Sequence, residues 1–375
     1  MIEIIEVLTK RQLKEFIKFP DHLYRGNKYR VPQLHIFEKT TLSREKNPAF
    51  DFCEARYWLA YKNGLLVGRI AGIINHKANE LWNDKAARFG WIDFVDDAEV
   101  SAALLKTVED WAVSKGLKKL QGPLGFTDMD MEGMLVEGFE ELSTQIAIYN
   151  YPYYPVHMEK FGYSKDVDWV QFEIQVPEKI PEKVQRVADV IKQKYGLRES
   201  QFKSSREILP YASKMFKTYN EAFRHLYGFT PLTDRQIKFY IDQYFSMIDP
   251  KYVKFIIDGN DDVVGFGFCF LSLSKALIKA KGRLFPFGFI PVLWSMKHND
   301  TVDLIMQGVK DEYHAKGVPA IFYASIMQVC IDNGITKAIA SSVLEQNKES
   351  MLLFTNGYEK RMHMRRRSYK KILSA

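Results

Sequence analysis

Cysteine is scarce. The chain of 375 residues has three, Cys53, Cys269 and Cys330, far apart and in apolar surroundings. There is no C-x-x-C pair, which argues against a disulfide framework and points to a reducing compartment. Long apolar runs are also missing. The longest, residues 284–296, has about thirteen residues with Pro286 and Pro291 inside it, too short to span a bilayer. The opening Met-Ile-Glu-Ile-Ile-Glu is strand-like and has no basic n-region of a signal peptide. The expectation is a soluble cytoplasmic protein with no membrane or DNA partner. Acidic excess is absent too: the net charge is +7, which suits an anionic ligand, a nucleotide cofactor or RNA, or else reflects solvated lysines. The densest basic stretch, Arg361 to Lys371, reads as an exposed strand face.

What is present is organised around residues 303–335. Leu304, Ile305, Met306 and Val309 form an apolar strand, His314 to Val318 a loop, and Pro319 sits at a first helical position. Ile321, Phe322, Ser325, Ile326, Val329 and Cys330 then follow helical spacing up to Gly334. A glycine loop opening on a helix N-terminus offers N–H groups and partial positive charge to a phosphate or pyrophosphate. The matching place in the first half, Asp96-Asp97-Ala98-Glu99, has no glycine, and its carboxylates would repel a diphosphate. Its acids suit helix capping. Of the two halves, the second is the one expected to hold such a ligand.

Two further clusters carry chemistry. Asp128-Met-Asp130-Met-Glu132-Gly133 imitates the start of a calcium loop, but its twelfth position is Phe139, so no metal is expected. The loop either faces a cleft, where Asp128, Asp130 and Glu132 would recognise a cationic substrate, or is simply solvated. Asn150-Tyr-Pro-Tyr-Tyr-Pro155 sets Asn150, Tyr153 and Tyr154 as a substrate wall with hydroxyl donors, or as a well-packed turn.

The order of elements occurs twice: strand, helices, hairpin, strand, loop, helix, strand, short helix, Gly-aromatic, strand. Asn63-Gly64 marks the first hairpin, residues 98–115 the first long helix, and Pro177 to Pro181 a linker. The expected fold class is therefore α/β (α+β), in two related domains at residues 1–176 and 177–375.

This plan, with His314-Ala-Lys-Gly317-Val-Pro319 as its loop and Asn347 before Phe354-x-x-Gly357-Tyr358, resembles the GNAT acyltransferase superfamily. Tyr24 to Asn27, Val67 to Ile70 and Gly122 to Phe139 are similar to a bacterial tandem-GNAT family of undefined substrate. The resemblance implies two splayed mixed sheets flanked by helices. It implies acetyl-CoA or another acyl-CoA in the second domain, on Val309, His314, Lys316, Gly317, Val318, Ala320 and Asn347. It also implies acyl transfer to a small-molecule or peptide amine. The usual acid tyrosine of the short helix falls on Phe354, which cannot donate a proton. Tyr358 and Tyr323 are the substitutes for it, with Glu345 as the base and His363 behind it. RNA enters only if the chain resembles instead the tandem-GNAT Fem ligases, which use aminoacyl-tRNA. A GNAT-fold binding protein without catalysis is the third reading.

Overall fold

The computed structural model describes residues 1–244, 248–348, 350, 351 and 358–374. Its strands in chain order are β1 (Ile2–Glu6), β2 (Cys53–Lys62), β3 (Leu65–Asn75), β4 (Ala86–Phe94), β5 (Lys119–Gly122), β6 (Met134–Glu137) and β7 (Ser164–Gln175), then β8 (Arg198–Glu199), β9 (Val253–Ile257), β10 (Val263–Leu271), β11 (Thr301–Val309), β12 (Lys337–Ile339), β13 (Val343–Leu344) and β14 (Lys360–Ile372). The chain separates into two units. The first holds residues 1–170, 273–294 and 364–375; the second holds 171–272 and 295–363.

In the first unit the sheet runs β1-β2-β3-β4-β5-β14. Asn63 and Gly64, both at positive φ, close the β2–β3 hairpin, as the Asn-Gly pair requires. The helix Ala98–Ser114 covers the sheet. Asp97 caps it by accepting from the Glu99 N–H, and Val100, Leu104, Val108 and Trp111 form its buried stripe. Two glycines of β3 make room for that stripe. A Cβ on Gly68 would come within 2.7 Å of Leu104, and one on Gly72 within 2.8 Å of Trp111. Burying each large side chain there contributes about 1.5–3 kcal/mol.

In the second unit the sheet runs β7-β12-β11-β10-β9-β8. Helices Glu182–Tyr195 and Pro319–Asp332 pack through Ala188, Ile191, Ile321 and Ala324 onto Ile256 and Val264.

Both sheets are mixed and splayed in the same way. β4 pairs with its parallel neighbour β5 only over Ala86, Ala87 and Arg88, and then leaves it. β11 pairs with β12 only over Thr301, Val302 and Asp303. Each departing strand is also bulged against its antiparallel neighbour. Arg69 faces Asp93 and Ala71 faces Gly90, so Trp91 and Ile92 share one partner. Phe268 faces Met306 and Cys269 faces Leu304, which leaves Ile305 extra. Trp91 takes φ +45° to make its bulge.

Several elements differ from the sequence reading. Residues 122–139 are not all loop: Met134–Glu137 forms β6, whose Met134, Leu135 and Glu137 pair with β14. The loop after β11 contains a helical turn, Asp311–His314. The apolar run near residue 290 becomes the helix Phe289–Ser295, after another helix, Ser274–Ala280. Phe354 and Gly357 lie outside the described residues.

Candidate functional site

The loop at residues 314–320 offers a diphosphate less than its sequence suggests. Gly317 has φ +78°, a left-handed turn that glycine takes at little cost. That turn directs the N–H groups inward. Lys316 donates to the Tyr313 carbonyl, Gly317 to that of His314, and Ala320 to that of Gly317. Val318 is fully buried, and Pro319 has no N–H. The Lys316 ammonium lies 4.0 Å from the centre of the Tyr313 ring and 5.4 Å from that of Tyr195. As folded, the N–H groups of Lys316, Gly317 and Ala320 are turned to neighbouring carbonyls rather than offered to a pyrophosphate. The counterpart in the first unit is closed as well. Lys62 bridges Asp97 (2.6 Å) and Glu99 (2.9 Å), and Asp96 binds His157 rather than capping the helix.

The splay of the second unit starts at Asp303, which is 1% exposed. One carboxylate oxygen accepts from Ser272 Oγ at 3.1 Å; the other has no partner. Burial pushes its pKa up to about 7. Asn347 caps the helical turn after it, accepting from the Ser350 N–H at 3.1 Å. Glu345 is half-buried in the turn that follows β13, and the Tyr358 hydroxyl is buried without a partner. Val309 closes the β10–β11 ladder opposite Gly265. Tyr323 accepts from Gln307, and the His363 ring lies 3.4 Å from Gln171.

A further candidate site lies in the first unit. A cavity of about 70 Å³ opens where β4 leaves β5, lined by Gly90, Trp91, Ile92 and Asp93 on one side and Pro123 and Leu124 on the other. Each water needs about 10–15 Å³ by this measure, so the space suits an acyl terminus or an amine head, not a nucleotide. Met131 and Met134 add apolar wall; Tyr24, Glu38, Arg69 and Tyr154 add polar wall. These side chains form one buried network. Arg69 binds Asp93 at 2.8 Å and the Phe16 carbonyl at 2.9 Å. The Tyr24 hydroxyl donates to the other Asp93 oxygen at 2.9 Å. The Tyr24 and Tyr154 hydroxyls lie 2.9 Å apart, and the Phe94 N–H donates to Tyr154 at 3.1 Å. Trp91 Nε1 donates to Glu38 at 3.0 Å. Burial, reinforced by the Asp93 charge, holds both tyrosines protonated far above the usual tyrosine range. Burial alone would lower Arg69; Asp93 and Glu38 more than reverse that.

Of the candidate substrate residues, Tyr154 and Asn150 line this cavity. Asn150 bonds both ways with the Leu135 backbone (2.7 and 3.1 Å) and so holds β6 in place. Tyr153 donates to the Phe94 carbonyl at 2.6 Å. Asp130 closes its own loop, accepting from Phe126 and Thr127 N–H groups, and Asp128 and Glu132 are not among the lining residues. Burial raises the Asp130 pKa to about 6, and burial together with the Asp128 charge raises that of Glu132 well above the usual carboxylate range. Tyr24 and Arg69 enter the sequence reading only through the family resemblance, with no site role, and Glu38 and Asp93 do not enter it. An arginine and an aspartate inside apolar strands, as in Gly68-Arg69-Ile70 and Ile92-Asp93-Phe94, were the available signal, since a charge there must be paired.

No protein-family model matches the chain. Protein YghO of Escherichia coli K12 is 28% identical over 331 residues, covering 87% of this chain and 83% of that protein. The bacterial ceramide synthase of Caulobacter vibrioides is 26% identical over 358 residues, covering 92% and 91%. Among solved structures, a tandem GNAT protein from the clavulanic acid biosynthesis pathway aligns with a TM-score of 0.57 at 10% identity, covering 100% of this chain and 99% of that one. A GNAT protein of Sphaerobacter thermophilus aligns with a TM-score of 0.50 at 10% identity, covering 100% and 96%. Two mixed sheets, each splayed and bulged at the same strand, and a full-length match to a tandem GNAT protein agree: this chain has the tandem GNAT fold.

Proposed function

We propose that the chain is an N-acyltransferase, moving an acyl group from an acyl-CoA thioester to a primary amine, with the reacting ends in the cavity of the first unit. The observation that carries this is the Arg69–Asp93–Tyr24–Tyr154 network set against a bulged, splayed strand. The loop at residues 314–320 takes no step in this reading, since the Lys316, Gly317 and Ala320 N–H groups donate to neighbouring carbonyls. The name of the Caulobacter relative supports a long-chain amino alcohol as the amine.

Glu38 takes the proton of the incoming ammonium; of the cavity carboxylates it is the less committed, since Asp93 is held by Arg69 and Tyr24. The amine nitrogen then attacks the thioester carbonyl. The C–N bond forms, and the carbonyl oxygen gathers charge near the extra residue of the bulge, whose N–H is outside the regular ladder. The C–S bond breaks, and Tyr154 gives its proton to the departing thiolate. The proton that the attacking nitrogen still has to lose to become the amide returns to Tyr154, relayed through Tyr24, 2.9 Å away. Arg69 holds Asp93, and through it Tyr24, in place.

The test uses the full chain with acetyl-CoA and palmitoyl-CoA against a panel of amines that includes sphinganine, reading thiol release and the amide by mass spectrometry. Wild type forms an amide, and Tyr154→Phe and Glu38→Gln each slow it by about 10²-fold or more. Absence of amide with every donor and amine would overturn the proposal.

A further inference from the structure

The segment 273–294 lies between β10 and β11 in the chain but belongs to the first unit. Its inner side is packed. Ala276, Leu277, Ala280 and Val292 are buried with Val31, and Leu34, Leu142 and Leu284 close around them. The Gly282 carbonyl accepts from the His35 N–H at 3.1 Å, and a Cβ on Gly282 would lie 2.5 Å from the Gln33 carbonyl oxygen. Between the two helices the turn is also built: the Phe289 N–H donates to the Leu284 carbonyl at 2.8 Å. The tip is therefore held in one shape.

Its outer side is apolar and bare. Phe285 is 81% exposed, Phe287 72%, Trp294 61%, Leu293 55% and Ile290 54%. Phe285, Phe287 and Phe289 are the only exposed phenylalanines among the described residues. A soluble surface seldom gathers so much apolar area without a partner. The charge around it has one sign. Residues 273–299 contain Lys275, Lys279, Lys281, Arg283 and Lys297 and no Asp or Glu. Lys275, Lys279, Lys281 and Arg283 are exposed, and of these Arg283 has a carboxylate near it, Asp21 at 3.6 Å.

We infer that this knob docks the protein on an anionic lipid bilayer, with Phe285, Phe287, Leu293 and Trp294 entering the acyl boundary and Lys275, Lys279 and Lys281 meeting the headgroups. Phe, Trp and Leu beside a lysine rim is the composition of a segment that lies in the interface. No helix of the described residues is long and apolar enough to cross a membrane, so the attachment is to the surface. A second copy of the chain is disfavoured by charge, because a two-fold contact would set this cationic rim against itself. The proposal is independent of the acyl-transfer reading.

Vesicle flotation of the full chain tests it, with phosphatidylcholine alone and with added phosphatidylglycerol. The protein floats with the anionic vesicles, less so as salt rises. The triple variants Phe285→Ser/Phe287→Ser/Leu293→Ser and Lys275→Gln/Lys279→Gln/Lys281→Gln each lose about tenfold or more of the affinity. Brominated lipid quenches wild-type tryptophan fluorescence, and Trp294→Phe removes that quenching, a readout that does not depend on the triple variants folding. No flotation with anionic vesicles would overturn the inference, as would equal flotation of wild type and both variants. A concentration-dependent dimer abolished by the apolar variant, without vesicle binding, would do the same.

Discussion

Replacing Asp303 by Asn tests how the splay of the second unit is built. The carboxyl is 1% exposed and has one hydrogen bond, from Ser272. Burial disfavours its charged form and raises its pKa from 3.8 to about 7. Because the folded pKa is the higher one, the folded chain binds more protons than the unfolded chain between these values. The stability tied to this group is therefore complete below about pH 4 and is lost as pH rises to about 7. At roughly 1.4 kcal/mol per pH unit, the loss amounts to about 4 kcal/mol. Asparagine keeps the acceptor for Ser272 and cannot ionise. Thermal unfolding of the full chain, followed from pH 4 to pH 8, makes the comparison. Wild type should fall relative to Asp303→Asn across that window, and the gap at pH 8 should approach 10 °C, on the order of 2–4 °C for each kcal/mol in a domain of this size. Parallel pH curves for the two proteins would refute the reasoning.

Arg69→Met leaves Asp93 buried without its cation, and should cost about 3–5 kcal/mol, read as a lower denaturant midpoint; an unchanged midpoint would show that the pair is solvated. Lys316→Ala should leave the KM for the acyl donor unchanged, because that ammonium rests on tyrosine rings; a steep rise in KM would return the donor to the loop at residues 314–320.

Much of the fold was legible because it is written in local periodicity. The Asn63-Gly64 turn, the stripe of residues 98–114 and the doubled element plan each follow from backbone rules that act over a few residues. What escaped depends on long-range pairing. β6 is a strand only because β14 supplies its ladder, and nothing within residues 134–137 announces that partner. The same holds for the candidate site. Tyr154 could be singled out from its tyrosine cluster. Tyr24, Glu38 and Asp93 come from three separate stretches, joined by a bulge that the sequence does not mark. The loop at 314–320 shows a different effect: its letters suit an anion, yet the turns around Asp311–His314 and Gly317 commit the Lys316, Gly317 and Ala320 N–H groups to neighbouring carbonyls.

The path of β14 has a consequence for how the molecule is made. Residues 364–375 complete the first unit, where Tyr369 to Ile372 pair with β5, yet they follow every residue of the second unit in the chain. On the ribosome the first unit therefore waits, its β5 edge unpaired, until the whole second unit has been synthesised. An unpaired strand edge is a template for wrong partners. The order of synthesis thus gives this protein a vulnerable interval, during which a chaperone covering the nascent first unit would keep that edge from wrong partners.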